Sequence, residues 1–141
     1  MFRILIITAN YYKDIAYDLN SEAKNTLIKE SISKVKYNLI EVPGVFEIPV
    51  IISKNIKKYD GFIALACVIK GETPHFDFIS KTTFDSIMKL SIDYKKPIGN
   101  GIITALNLDQ AKARSSSVKN KGREATRAVL SILGNFKNEF K

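Results

Sequence analysis

Four runs of apolar, largely β-branched residues, at 2–8, 37–42, 62–69 and 97–104, constrain this chain more than any other feature. The runs at 2–8 and 62–69 are continuous rather than alternating, and Phe2-Arg3-Ile4-Leu5-Ile6-Ile7-Thr8 is the plainest. Apolar side chains pointing both ways mark a strand covered on both faces, as in parallel sheets. Parallel neighbours need a long crossover, and helical stretches lie between the runs. Residues 14–36 place Ile15, Leu19, Ala23 and Leu27 on one face at helical spacing. Residues 45–59 read as a helix with Pro49 in its first turn, where proline is tolerated. Helices follow at 74–93, 107–114 and 120–133, with Gly134 as a C-cap. The order βαβαβαβα(α) predicts one α/β domain over 1–141. Its architecture is a three-layer αβα sandwich on a four-stranded parallel sheet of flavodoxin-like order.

Composition removes several function classes. No apolar run is long enough to span a bilayer. The first run begins at residue 2, with no signal-peptide pattern before it, which gives a cytoplasmic expectation and no membrane partner. One cysteine, Cys67, cannot form an internal disulfide, and with the single His75 it cannot form a usual structural zinc site. Cys67 reads as inert core. The net charge of +8 admits nucleic acid, acidic lipid or a phosphorylated small molecule as partners. Lysines far outnumber arginines and are dispersed along the chain, which reads as compositional bias. Nucleic acid is therefore not expected as a partner.

In such sheets ligands bind beyond the carboxyl ends of the strands. That rule selects residues 9–13, 43–47, 70–75 and the segment from 104 onward. Lys70-Gly71-Glu72-Thr73-Pro74-His75 joins strand to helix, and amides at a helix start suit an anion. Thr73 serves equally well as an ordinary cap. The segment lacks the Lys-Ser/Thr pair of a P-loop, which argues against a nucleoside triphosphate. His75 carries the one imidazole, whose ordinary titration falls near neutrality. Pro43-Gly44-Val45-Phe46-Glu47 offers amides, a ring and a carboxylate, with Glu47 suited either to hydroxyls or to the helix dipole. Tyr11 and Tyr12 are stacking candidates or loop aromatics. Arg114 suits a phosphate or a helix C-terminus. Lys121 is electrostatically unfavourable at a helix start, and Glu124 follows one turn on.

These segments together resemble the lumazine synthase family of riboflavin biosynthesis. The likeness rests on Val42-Pro43-Gly44-Val45-Phe46-Glu47-Ile48-Pro49, Val68-Ile69-Lys70-Gly71-Glu72-Thr73-Pro74-His75-Phe76-Asp77 and Pro97-Ile98-Gly99-Asn100-Gly101-Ile102-Ile103-Thr104. Residues 107–114 and Asn120-Lys121-Gly122 extend it. The resemblance implies condensation of 5-amino-6-(D-ribitylamino)uracil with 3,4-dihydroxy-2-butanone 4-phosphate. The products are 6,7-dimethyl-8-ribityllumazine, phosphate and water, with no metal or organic cofactor. It implies His75 as general acid/base. It implies Arg114 as phosphate ligand, with Gly71, Glu72 and Thr73. Tyr11 falls at the stacking position, and Val45, Phe46 and Glu47 in the ribityl-binding loop. Val68 and Ile69 supply backbone contacts, and Lys121 approaches the pyrimidine carbonyl. Sites shared between subunits of a homopentamer bring Asn100 and the Arg114 segment to a neighbour's crevice.

The chain also departs from the family pattern. Tyr11-Tyr12 leaves the stacking ring open by one position, and Asn100 stands where Phe is common. The loop at 115–120 is one residue shorter, which bears on the alignment of Lys121. A short N-terminus leads to the expectation of a free pentamer rather than a shell. Residues 74–93 carry two apolar faces: Phe76, Ile79, Ile87 and Leu90 for the sheet, then Phe84, Met88 and Ile92 for a second subunit. Two other readings compete, an archaeal-type riboflavin synthase and a flavin- or lumazine-binding module without catalysis. Retention of Thr73, His75 and Arg114 favours the lumazine synthase.

Overall fold

The computed structural model describes residues 1–71 and 75–138. The elements run β1 (Arg3–Ala9), α1 (Lys13–Glu30), β2 (Lys36–Val42), a 3₁₀ turn (Val45–Glu47), α2 (Ile48–Asn55), β3 (Gly61–Ile69), α3 (Phe76–Tyr94), β4 (Ile98–Ala105), α4 (Leu108–Arg114) and α5 (Lys121–Ile132). All strands are parallel in the order β2-β1-β3-β4, so the expected flavodoxin-like sandwich is the observed one.

The alternation of side chains along β1 divides the core in two. Ile4 and Ile6 turn toward α1 and α5 and pack with Leu19, Leu27, Ala125 and Val129. Leu5 and Ile7 turn the other way and pack with Ile48, Ile52, Phe62 and Ile87 of α2, β3 and α3. Each fully buried Leu or Ile contributes roughly 1.5–3 kcal/mol by leaving water. Both faces of the sheet are thus closed, which is why the strand runs do not alternate. Gly99 makes the approach of α5 possible, since a Cβ there would stand 2.4 Å from the Ala125 carbonyl oxygen.

Two helices are shorter than their periodicity suggests. α1 stops at Glu30 rather than continuing to residue 36. Ser31 Oγ donates to the Leu27 carbonyl, and the Ile32 and Ser33 amides donate to the Asn135 carbonyl and Oδ1. These long-range bonds draw the chain off the helix path. The 45–59 segment splits into the 3₁₀ turn and α2, which ends at Asn55, whose side chain donates to the Ile51 carbonyl. Gly134 adopts φ +71°, the left-handed conformation expected of a residue just past a helix end.

Candidate active site

The carboxyl ends of β1, β2 and β3 open on one side of the sheet. The Asn10 amide donates to the Val42 carbonyl at 3.0 Å, and Asn10 Nδ2 to Glu41 Oε2 at 3.2 Å, so the β1 and β2 exits are tied together. Tyr11 and Tyr12 follow and meet edge to face, with centroids 4.9 Å apart. The two rings differ in their surroundings. Tyr12 packs against the core beside α1, while the Tyr11 ring is 72% exposed. Tyr11 is the ring a planar ligand can reach.

The loop after β2 turns directly into the 3₁₀ helix. Val45 is buried beneath it, and Phe46 is 61% exposed above it. The half-buried Glu47 folds its carboxylate back over Gly44. Its Oε1 lies 3.1 Å from where a Gly44 Cβ would stand, so a side chain at 44 would crowd the carboxylate. Val68 and Ile69 end β3 opposite Thr104 and Ala105 and are buried. The Lys70 amide continues the ladder to the Ala105 carbonyl. Gly71 then takes φ +89°, a backbone conformation natural to glycine. Glu72, Thr73 and Pro74 lie outside the described residues. His75 is the exposed N-cap residue of α3, and its carbonyl accepts from the Ile79 amide at 2.8 Å.

Asn100, Arg114 and Lys121 occupy a different surface. The Pro97 and Ala105 carbonyls face β3, so even-numbered residues of β4 turn their amides and carbonyls to the open edge of the sheet. Two of these outward groups are covered by candidate site residues. Asn100 Oδ1 accepts from the Ile102 amide at 3.1 Å, and Arg114 Nη1 donates to the Thr104 carbonyl at 2.6 Å. A guanidinium has five N–H donors, so the bond to Thr104 orients Arg114 while leaving others for an anion. Asn100 also lines a 110 Å³ cavity with Phe84, Ile87 and Met88. Arg114 and Lys121 line a separate cavity of 460 Å³ with Val118, Lys119 and Glu124. None of Tyr11, Phe46, Glu47 or His75 lines either cavity.

Asn120 organises that second surface, a role its place before a helix only hinted at. Its Oδ1 caps the Gly122 and Arg123 amides at 2.8 and 3.2 Å, and its Nδ2 reaches the Ser115 and Asp18 carbonyls. It thereby fixes the 115–120 loop that separates Arg114 from Lys121. Arg123 and Arg127 pair with Glu22 and Glu30 at 3.2 and 2.7 Å and clasp α5 to α1. Glu30 raises the Arg127 pKa above its ordinary value through this hydrogen bond. One chain therefore brings together Tyr11, the 43–47 loop and the β3 exit at one crevice. It sets Asn100 and the Arg114–Lys121 pair on the outer flank of β4.

The profile of the 6,7-dimethyl-8-ribityllumazine synthase family matches residues 1–137. Relatives bearing that name include one from Agrobacterium fabrum (strain C58), 41% identical and covering 92% of this chain and 91% of its own. One from Bartonella bacilliformis is 39% identical, covering 92% and 87%. One from Ruthia magnifica subsp. Calyptogena magnifica is 37% identical, covering 93% and 83%.

Proposed function

The chain belongs to the 6,7-dimethyl-8-ribityllumazine synthase family, and we propose a division of labour among its residues for that family's reaction. The enzyme condenses 5-amino-6-(D-ribitylamino)uracil with 3,4-dihydroxy-2-butanone 4-phosphate, releasing phosphate and water and forming 6,7-dimethyl-8-ribityllumazine. Family membership over nearly the whole chain is the observation that carries this conclusion.

The amine of one substrate is the nucleophile, and the ketone and phosphate of the other are the electrophile and leaving group. The reacting bonds thus arrive with the substrates, and we read the reaction as independent of metal and organic cofactor. The protein's part is orientation and proton transfer. Tyr11 stacks on the pyrimidine. Val45, Phe46 and Glu47 hold the ribityl chain, with the Glu47 carboxylate accepting from its hydroxyls, and the Val68 and Ile69 backbone addresses the ring. His75 moves the protons that imine formation and phosphate loss require. Arg114, with the backbone of 71–73 and the Thr73 hydroxyl, holds the phosphate; Lys121 approaches the pyrimidine carbonyl; and Asn100 forms a wall of the site.

These roles need both surfaces at one substrate pair. We therefore place the site between neighbouring subunits of a cytoplasmic homopentamer, the β4 flank of one chain closing the crevice of the next. The exposure of Met88 and Ile92 on the second face of α3 supports such a contact. The direct test is a mixing assay with purified protein and both substrates, following lumazine fluorescence and phosphate release. Stoichiometric appearance of both is expected, and fluorescence without phosphate overturns the reading. Sedimentation checks the assembly: a five-subunit mass is expected, and an active monomer overturns the shared site.

A further inference from the structure

Each connection returning from a helix to the sheet is lysine-rich. Lys34 and Lys36 precede or open β2, Lys57 and Lys58 precede β3, Lys95 and Lys96 precede β4, and Lys137 follows α5. Along the sequence these residues stand far apart and read as scattered. In a parallel α/β sheet every such connection lies at the same end, the amino-terminal end of the strands. The register shows the gathering directly, since Arg3 of β1 stands opposite Lys36 of β2 and Gly61 and Ile98 open β3 and β4 beside the other pairs. The lysines as a whole stay dispersed, but the fold gathers these seven of the eighteen at one pole.

Lys34, Lys36, Lys57, Lys58, Lys95 and Lys137 are exposed. The acidic residues described nearby are already engaged. Asp60 accepts the Arg3 amide at 2.7 Å, Glu30 pairs with Arg127 at 2.7 Å and Asp93 with Lys89 at 2.9 Å. Two cations are engaged as well, Lys96 on the Ile56 carbonyl and Arg3 over the Tyr59 ring. Helix C-termini attract positive charge, but each presents only about half a negative charge, and two lysines per connection exceed that.

We propose that this pole is a peripheral docking surface for a bilayer rich in acidic phospholipid. The cations stand in successive connections spread across one end of the sheet, with a 380 Å³ cavity beside Lys95 and Lys96 only, and a spread of charge across a whole face fits a planar array of phosphates. Lysine outnumbers arginine. Of the rings described at this pole Phe2, Tyr37 and Tyr59 are half-buried, Tyr59 lying beneath Arg3, which leaves Tyr94 exposed where a nucleic-acid strand would use a row of rings. Met1 and Ile32 are exposed among the lysines and offer shallow apolar contact that a phosphodiester backbone would not use. Among the described residues no helix is long and apolar enough to cross a membrane, so the association is electrostatic and salt-sensitive. The crevice lies at the opposite end of the sheet and stays open to substrate.

The test is co-sedimentation of the full chain with phosphatidylcholine vesicles, with and without phosphatidylglycerol. Retention on the acidic vesicles only, lost in about 0.5 M salt, is expected. K36Q/K57Q/K95Q takes one charge from each of three connections, and its partition coefficient should fall by roughly two orders of magnitude. K24Q/K81Q/K112Q removes the same charge elsewhere and should stay within about twofold of the parent. K34Q/K58Q provides a second pole variant, with circular dichroism confirming the fold of each. Absence of retention on acidic vesicles, or equal loss in the pole and control variants, overturns the proposal. Tighter capture of a single-stranded oligonucleotide than of vesicles also overturns it and assigns the pole to nucleic acid.

Discussion

The crevice above β1, β2 and β3 carries most of the candidate residues and the outer flank of β4 only Asn100, Arg114 and Lys121, and the two are built on opposite principles. The crevice is laid out by topology. Strand ends deliver Tyr11, Phe46 and His75 to one side of the sheet with their side chains exposed. The flank is held by specific bonds, with Asn100 on the Ile102 amide, Arg114 on the Thr104 carbonyl and Asn120 across four backbone groups. The difference separates two demands on a catalyst. On the proposed roles, groups that meet two changing reactants are left room to adjust, whereas the charge assigned to the leaving phosphate is set in place beforehand.

The largest effect should come from His75→Ala, which removes proton transfer from the open region. We expect kcat to fall by roughly 10²–10⁴ with little change in either KM, measured by steady-state fluorescence. A rise in KM with kcat unchanged would make His75 a binding group and erase the contrast. Arg114→Ala should mainly raise KM for the phosphorylated substrate, by roughly 10–100-fold, as expected for a charge-assisted contact. Arg114→Lys should recover only part of this, because one ammonium cannot hold the Thr104 carbonyl and present a fork to phosphate together.

Mixing the His75→Ala and Arg114→Ala proteins under conditions of subunit exchange sharpens the comparison further. If neighbours share a site, about a quarter of the sites in an equal mixture regain both groups, and activity should return. Continued inactivity after verified exchange would mean that both regions serve the same chain. Tyr11→Ala should raise KM for the pyrimidine by roughly 3–10-fold, while Tyr12→Phe leaves it within about twofold, since Tyr11 is the more exposed ring and the half-buried Tyr12 packs against the core. The smallest change is expected on the braced side. Asn120→Ala removes a helix cap and should cost about 1–2 kcal/mol by denaturant unfolding. An Asn120→Ala protein as stable as the parent would show that the flank does not depend on that side chain.

Much of this molecule was legible before any coordinates. Continuous strand runs and intervening helical periodicity led to the correct sheet order, because burial on both faces leaves a direct mark on composition. Helix ends were less legible, because Ser31 through Ser33 leave the helix path for partners around residue 135, more than a hundred positions away. The unequal exposure of Tyr11 and Tyr12 was invisible for a related reason: adjacent rings differ only in which one meets the core.

The amino-acid sequence by itself determined the layer architecture, the loops that reach the crevice and the motifs that identify the family, since all are written in local pattern. Tertiary structure alone decided which backbone groups of the β4 edge are covered by Asn100 and Arg114. It alone decided that seven of the eighteen lysines, far apart along the chain, stand at one pole. Both are consequences of contact between distant segments, and a parallel sheet, which returns every crossover to the same end, makes neighbours of residues that no linear spacing relates.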